Sequence, residues 1–234
     1  KKGVFTTCKK NDDCPPWQLS AKEIRHDKKK KTIYYKDAWL KIYDKPVLYF
    51  PKFFHPDFTV KRQSGFLMPS FKSSSNIGTS FNLPYYHVIS DNKDFTIQPR
   101  FYADEKLLIQ SEYRQVNSNS NHLIDFSFFN GKNESNKSHF FLNTYKELNF
   151  SYFEDSQLDI KLEQVTHNSY LKVHDIKSPI INSSGSLESS IKIGASKENL
   201  SLDLDFQIFE SLATEKESDK YEYILPNYNL LKEF

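Results

Sequence analysis

The fold is decided by the stretch Leu200–Ile208, which reads LSLDLDFQI. Apolar and polar residues alternate strictly in this stretch, and a period of two is typical of a β-strand with one apolar and one polar face. The same alternation recurs earlier in the chain, and polar turns separate the alternating stretches. We count about nine or ten such strands from residue 64 onward, so the sequence predicts an all-β protein. The clearest earlier examples are Phe95–Phe101, Ile124–Phe128 and Leu158–Glu163.

Two architectures produce this alternation. A soluble sandwich buries the apolar faces against one another and keeps the polar faces in water. An outer-membrane barrel instead turns the apolar faces to lipid and the polar faces to an aqueous lumen. In a barrel, Lys161 would face the lumen, because a lysine facing lipid at mid-bilayer costs about 2–4 kcal/mol. Leu158, Ile160 and Leu162 would then face lipid, and the pattern alone leaves both architectures open.

The composition narrows the classes of function. The 234 residues include 32 Lys and Arg against 30 Asp and Glu, a net charge of +2. Binding of nucleic acid through bulk charge needs a clustered basic face, so nucleic acid is not a predicted partner. Apolar runs such as Val47–Phe50 are far shorter than the about 20 residues of a membrane-spanning helix. The chain starts at Lys1 without a Met, which leads us to expect a processed, trimmed or partial chain.

A change of organisation is expected near residues 51–63. Before it, residues 14–50 read as short strands joined by polar turns such as Asp27–Lys31. Pro51 and Pro56 then follow within six residues. Because proline has no N–H to donate, we expect them to break the strand ladder. The predicted domains are therefore residues 1–60 and residues 61–234.

No catalytic constellation is present in the sequence. It contains no nucleophile elbow, no phosphate-binding glycine loop and no zinc-protease motif. The seven histidines are scattered and are expected at surfaces or interfaces. Asp203 and Asp205 share a strand face, but the alternation explains them as the polar side of a strand. We therefore expect no enzyme activity, no cofactor and no metal site.

The two cysteines, Cys8 and Cys14, do not form a four-ligand zinc set. Their spacing is compatible with free thiols, with a local disulfide, or with a bond to a cysteine elsewhere. Either bond would imply an oxidising compartment such as a periplasm.

Two prolines stand inside stretches that otherwise read as strands. Pro69 lies within Ser64–Phe71, and Pro84 lies within Ser80–Tyr86. Proline is tolerated at a strand end, an edge, a bulge, or a place where pairing is weak.

In these proline-containing stretches the chain resembles the LPS-assembly protein family LptD of Gram-negative outer membranes. The matching segments keep the same order over nearly the whole chain, and their combination is specific. They are Trp17–Asp27, Pro46–Pro51, Lys61–Pro69, Leu83–Tyr86, Asp94–Arg100, Val165–Leu171 and Tyr221–Pro226.

The resemblance implies lipopolysaccharide transport and insertion into the outer leaflet of the outer membrane. Residues 1–60 would be the end of a periplasmic β-jellyroll, and residues 61–234 would be the first strands of an incomplete antiparallel barrel wall. The implied partners are lipopolysaccharide, the LptE lipoprotein plug, the LptA periplasmic bridge and outer-membrane lipids. Pro69 and Pro84 match prolines of the family's lateral gate. Cys8 matches a cysteine that the family pairs with a distant one, and Cys14 is an additional disulfide candidate.

Two other functions remain open at this level. One is a soluble all-β adhesion or carbohydrate-binding module, which would pack the apolar faces of residues 95–210 against one another. The other is an outer-membrane enzyme, which the missing catalytic set disfavours.

Overall fold

The computed structural model describes residues 3–5, 17–42, 45–57, 59–60, 62–74, 77–103, 106–131, 135–213 and 220–232. These residues form β-strands and one short helix, divided between two compact units, Lys1–Gln63 and Ser64–Phe234. Every strand pairing is antiparallel, and neither sheet closes on itself within the described residues. The prediction of an all-β chain with open sheets is confirmed.

The first unit contains one four-stranded sheet in the order β1-β2-β3-β4. Ala21 and Ala38 face each other in its small core, and Tyr35 is also buried there. The predicted lysine turn joins β2 to β3, and the carboxylate of Asp27 accepts the backbone N–H groups of Lys29 and Lys30 at 3.1 and 3.0 Å. The strands are β1 (Gly3–Phe5), β2 (Trp17–Asp27), β3 (Thr32–Ile42) and β4 (Lys45–Pro56).

The expectation that Pro51 and Pro56 break the ladder is wrong. Strand β4 continues through Pro51 and ends at Pro56. The ladder between β3 and β4 skips a pair at this level, since Ala38 pairs with Phe50 and Lys36 pairs with Lys52. Asp37, which lies between them on β3, has a φ of 52°. Pro51 therefore sits at an irregularity where no regular pair needs its missing N–H.

The second unit contains one large sheet that begins with two interrupted strands. The sheet runs from β16 in sequence order back to β9, which pairs with both β7 and β8. If each interrupted strand is counted once, the described residues cross the sheet ten times, as the alternation predicted. The interrupted strands are β5 (Gly65–Phe66) with β6 (Ser70–Ser74), and β7 (Gly78–Asn82) with β8 (Tyr85–Ser90). The continuous strands are β9 (Lys93–Tyr102), β10 (Leu107–Val116), β11 (Ser120–Asn130), β12 (Lys137–Glu147), β13 (Asp155–Val165), β14 (Ser186–Lys197), β15 (Leu200–Ser211) and β16 (Tyr221–Lys232).

Strand β11 of the large sheet buries polar residues on one face and exposes aromatic residues on the other. On β11, Phe126 and Phe128 are 39% and 46% exposed, whereas Asp125 and Ser127 between and beside them are 0% and 2% exposed. Successive strand residues point to opposite faces, so the first pair marks an apolar face and the second a polar face. A soluble sheet would show the reverse distribution. The described apolar face is therefore not folded into a dry interior.

Lys161 follows the same rule. It lies on the polar face, in register with Ser190 of β14 and Asn143 of β12. Leu158, Ile160 and Leu162 alternate with it and so lie on the apolar face. This is the arrangement that the barrel alternative predicted for β13.

Part of the polar face is covered by residues 166–185, the connection from β13 to β14. This connection contains the helix α1 (Tyr170–Val173). Its apolar side chains pack on the polar face and form the main hydrophobic cluster of the second unit. The cluster includes Tyr170, Leu171, Ile176 and Ile180 from the connection, and Tyr102, Leu108, Phe129, Phe141, Leu187 and Leu212 from the sheet and its margin.

Candidate functional site

The first two strands of the large sheet are both interrupted, and at the same level. Strand β5 ends at Phe66 and β6 begins at Ser70, so the gap contains Pro69. Strand β7 ends at Asn82 and β8 begins at Tyr85, so the facing gap contains Pro84. Pro69 is exposed and Pro84 is buried.

Pairing between these two strands is split into two short ladders. Two residue pairs join β5 to β8, and five join β6 to β7. Between them, three residues on one strand (67–69) face two on the other (83 and 84), which is a β-bulge. One backbone bond crosses the gap, from Leu67 N–H to the carbonyl of Pro84 at 2.9 Å. By comparison, β14 and β15 share twelve uninterrupted pairs.

A third proline lies next to the same gap. The N–H of Leu83 donates to the carbonyl of Pro99 on β9 at 3.1 Å. Pro69, Pro84 and Pro99 thus stand at one level on three neighbouring strands. Our sequence reasoning assigned no role to Pro99. The sequence did carry a signal for Pro99, because the three prolines follow one another at intervals of 15 residues.

The connection at residues 166–185 is fixed to the polar face by a buried chain of hydrogen bonds. The hydroxyl of Tyr170 lies 2.6 Å from Ser127 Oγ, which lies 2.6 Å from His139 Nδ1. His139 Nε2 lies 3.2 Å from Asp125 Oδ1. Gln110 completes the anchor, since its side-chain N–H₂ reaches Asp125 at 3.2 Å and the carbonyl of Lys177 at 2.9 Å.

The directions of these bonds follow from the carboxylate. Because a carboxylate only accepts, His139 donates from Nε2 to Asp125 and leaves Nδ1 as an acceptor. Ser127 then donates to His139, and Tyr170 donates to Ser127. Asp125, His139 and Ser127 have the order of a hydrolytic triad, but Ser127 Oγ is buried beneath Tyr170 and already bonded to it. The arrangement anchors the connection and leaves no room for a substrate at the serine.

The expectation of surface histidines is wrong for two of the seven. His139 and His174 are both buried on the polar face. His174 lies against the ring of Phe129, and its Nδ1 is 3.1 Å from the hydroxyl of Tyr102. The sequence suggested no burial because these partners come from distant strands, with 72 residues separating Tyr102 from His174.

Farther along the polar face, strands β12 to β16 line an open groove of 600 Å³. At its edge, Lys161 Nζ lies 2.9 Å from Glu163 and 3.2 Å from Glu188. Amides and further charges cover the rest, including Asn143, Gln157, Asp159, Lys192, Asp203, Asp205, Asn227 and Asn229. Such a surface offers many hydrogen-bond donors and acceptors to a hydroxylated ligand.

The first unit carries a different groove, of 540 Å³, on its own sheet. Its apolar part consists of Tyr34, Tyr35, Phe53 and Phe54, and Tyr34 packs on Phe54 with ring centroids 6.0 Å apart. Charged side chains surround the aromatic rings, with cations in excess. They are Arg25, Lys30, Lys36 and Lys52 against Glu23 and Asp27.

The remaining predictions concern the cysteines, a metal site and membrane-spanning helices. Cys8 and Cys14 lie outside the described residues. Among the residues that the structure does describe, no group of three or more His, Cys, Asp or Glu could hold a metal ion. The same residues contain no helix that is both long and apolar enough to cross a membrane.

Comparison with known proteins identifies the family. The family model described as "LptD protein" matches residues 33–231, which is most of the chain and includes both interrupted strands. The chain belongs to the LptD family. The resemblance predicted from the proline-containing segments is therefore confirmed.

Individual relatives agree with this assignment. The chain is 34% identical over 137 residues to the LPS-assembly protein LptD of Pseudomonas putida strain F1, covering 58% of this chain and 14% of the relative. It is 38% identical over 125 residues to the protein of that name from Nitrosococcus oceani, covering 53% and 16%. The match to that of Pseudomonas aeruginosa strain UCBPP-PA14 is 30% over 134 residues, covering 57% and 14%. The chain thus aligns to about one seventh of these relatives' own length.

Proposed function

We propose that this chain is part of an outer-membrane protein that inserts lipopolysaccharide into the outer leaflet. The observation that carries the proposal is the large sheet that exposes Phe126 and Phe128 while it buries Asp125 and Ser127. Such a sheet is stable when acyl chains cover its apolar face and water wets the other. Membership of the LptD family and its relatives' name, LPS-assembly protein, support lipopolysaccharide as the cargo.

In this proposal the first unit is the end of a periplasmic jellyroll that receives the lipid. Its groove combines aromatic rings with a rim that has four cations and two acids. Lipopolysaccharide combines acyl chains with phosphates, so the rings would contact the chains and the cations would attract the phosphates. The LptA bridge would deliver the lipid to this unit.

The second unit would be the first wall of a barrel whose lumen takes the sugar. The polar groove along β12–β16 supplies the amide and carboxylate groups that hydrogen-bond to hydroxyls. The open sheet in the described residues needs further strands before it can enclose a lumen, and the LptE lipoprotein would plug that lumen. No covalent bond is made or broken, so this function is transport rather than catalysis.

Pro69 and Pro84 would weaken the first two strands beside a lateral gate, a seam at which the first strand of the barrel meets the last. The two strands share two short ladders instead of one long one, and each proline lacks a donor. A parted seam would let acyl chains slide into the bilayer while the sugar stays in the lumen. Pro99, whose carbonyl holds Leu83 beside the gap, would belong to the same seam.

The test is the double variant Pro69→Ala and Pro84→Ala in the full-length protein. Each alanine restores a backbone donor, which contributes about 0.5–1.5 kcal/mol where it finds an acceptor. We expect slower appearance of newly made lipopolysaccharide at the cell surface, measured by pulse labelling. Pro226→Ala on β16, far from the seam in the strand order, is the matched control and should leave the rate unchanged. Unchanged export in the double variant, at normal protein levels, would refute the seam.

A further inference from the structure

A small polar cleft lies within the second unit, between its first strands and the connection at residues 166–185. Its volume is 240 Å³. Three cationic side chains line it: Lys72 from β6, Arg100 from β9 and Lys177 from the connection. Asp175 is the only acidic residue among those lining it, and the others are serines and carboxamides. The cleft is distinct from the open groove along β12–β16, since no residue lines both.

Lys72 and Asp175 form the contact that joins β6 to the connection. Lys72 Nζ lies 2.6 Å from Asp175 Oδ2, and both side chains are about half exposed, at 49% and 57%. Water and ions can therefore reach this pair, and exposed ion pairs of this kind are weak.

The cleft has more positive charge than Asp175 neutralises. Lys72 lowers the pKa of Asp175 below its ordinary value, mainly through their hydrogen bond, and the charges of Lys177 and Arg100 lower it further. Arg100 is largely buried, and its guanidinium donates to the carbonyl of His174, which is a neutral acceptor. One carboxylate thus faces three cationic side chains, so binding of a second anion in the cleft would be favoured.

A buried acceptor adds a second requirement for the ligand. Among the residues that the structure describes, Asn82 Oδ1 is buried and has no hydrogen-bond partner. Asn82 lines the cleft on β7, where it pairs in register with Arg100. Buried polar atoms are normally satisfied, so this oxygen calls for a hydroxyl or N–H donor. An anion that also carries hydroxyl groups meets both conditions.

We propose that the cleft binds the phosphate or carboxylate of one sugar unit, and that this anion displaces Asp175 from Lys72. The volume is below the about 300–1,000 Å³ of sites for larger ligands, which limits the occupant to about one sugar unit. The inference rests on the proposed function, because a charged saccharide reaches this face only if the face lines its path. Displacement would free β6, the strand beside Pro69, from the connection.

The test measures binding of small probes to the full-length protein in detergent. Glucose 1-phosphate and glucuronic acid are the charged probes, and glucose and inorganic phosphate are the comparisons. Saturation-transfer NMR detects weak binding of each. We expect both charged sugars to bind, inorganic phosphate to bind more weakly, and glucose to give no signal. Inorganic phosphate binding as tightly as the sugar phosphate would overturn the assignment to a saccharide.

Two variants separate ligand displacement from a structural ion pair. Lys72→Gln removes the cation that the ligand needs, so affinity should fall by up to about fivefold. Asp175→Asn removes the competing anion, so affinity should rise by up to about fivefold. Lys146→Gln, an exposed lysine near the end of β12, is the matched control and should change nothing. An ion pair that only maintains the fold would make both variants bind more weakly, which would overturn the proposal. Absence of binding by charged sugars, with lipopolysaccharide export intact, would refute the cleft and leave the proposed function standing.

Discussion

Phe126 offers the sharpest test of the environment of the apolar face. It is the seventh of the eleven residues of β11, one residue beyond the central Asp125. Eleven residues at about 3.4 Å each span roughly 37 Å, and a tilt of about 40° reduces this to about 28 Å. This length matches an apolar band about 25 Å tall, and in the proposed barrel it would place Phe126 within about 3 Å of the midplane. Phe126→Arg would therefore place a charge near the centre of the bilayer.

The expected magnitude differs sharply between the two architectures. In a bilayer an arginine at the midplane costs about 2–4 kcal/mol. At about 1.4 kcal/mol per factor of ten, this lowers the folding equilibrium constant by about 30- to 700-fold. For a soluble sheet, the same change at a side chain that is 39% exposed should stay within about 0.5 kcal/mol.

The assay is folding of the full-length protein into lipid vesicles across a urea series, with the folded fraction read as heat-modifiable migration on a gel. Phe150→Arg is the control, because Phe150 is similarly exposed at 48% but lies in the turn after β12 ends at Glu147. Near the membrane surface the cost of arginine falls to about 0–1 kcal/mol. Equal and small costs for both variants would contradict a lipid-facing apolar surface and with it the barrel.

Two further predictions concern local features. Burial raises the pKa of Tyr170, in the β13–β14 connection, to about 12, whereas a free tyrosine ionises near 10. The stability that this side chain contributes is thus complete below pH 10 and is lost as the pH rises through 12. Near-UV circular dichroism should show this loss of folded structure. The variant Tyr170→Phe should abolish this pH dependence and lower the free energy of unfolding by about 0.5–1.5 kcal/mol. Lys31, in the turn after β2, has a φ of 48°, so Lys31→Gly should stabilise the first unit by about 1 kcal/mol. The chain's two tryptophans both lie in that unit, so thermal unfolding followed by fluorescence measures the change, and Lys29→Gly, which relieves no strain, should not stabilise.

Local pattern was sufficient to predict the strands of the large sheet and their faces, whereas the strands before residue 51 are longer than the short ones predicted. The alternation in Leu158–Glu163 correctly separated Lys161 from Leu158, Ile160 and Leu162, because side-chain direction in a strand depends only on position. The breaks at Pro69 and Pro84 also followed from the missing N–H. Pro51 showed the limit of that rule, since its effect depends on the pair that the ladder skips opposite Asp37, which has a positive φ on the partner strand.

The connection at residues 166–185 could not be predicted in this way. Its anchor requires Ser127, His139 and Asp125 from two strands to meet Tyr170 from a third segment. Register between strands brings them together, and no short window of sequence carries that register. The buried state of His139 and His174 was missed for the same reason. The cationic cleft depends likewise on Lys72 meeting Asp175, 103 residues away.

The reversed distribution of the large sheet also constrains how the chain is made. Each hairpin leaving the ribosome or the translocation pore would expose rows of phenylalanine and leucine to solvent, because the hairpin itself does not bury them. Such apolar segments aggregate readily when they are exposed to solvent. If lipid covers the apolar face, as proposed, biogenesis requires a chaperone that shields these apolar rows until lipid replaces it, and strand pairing should accompany insertion.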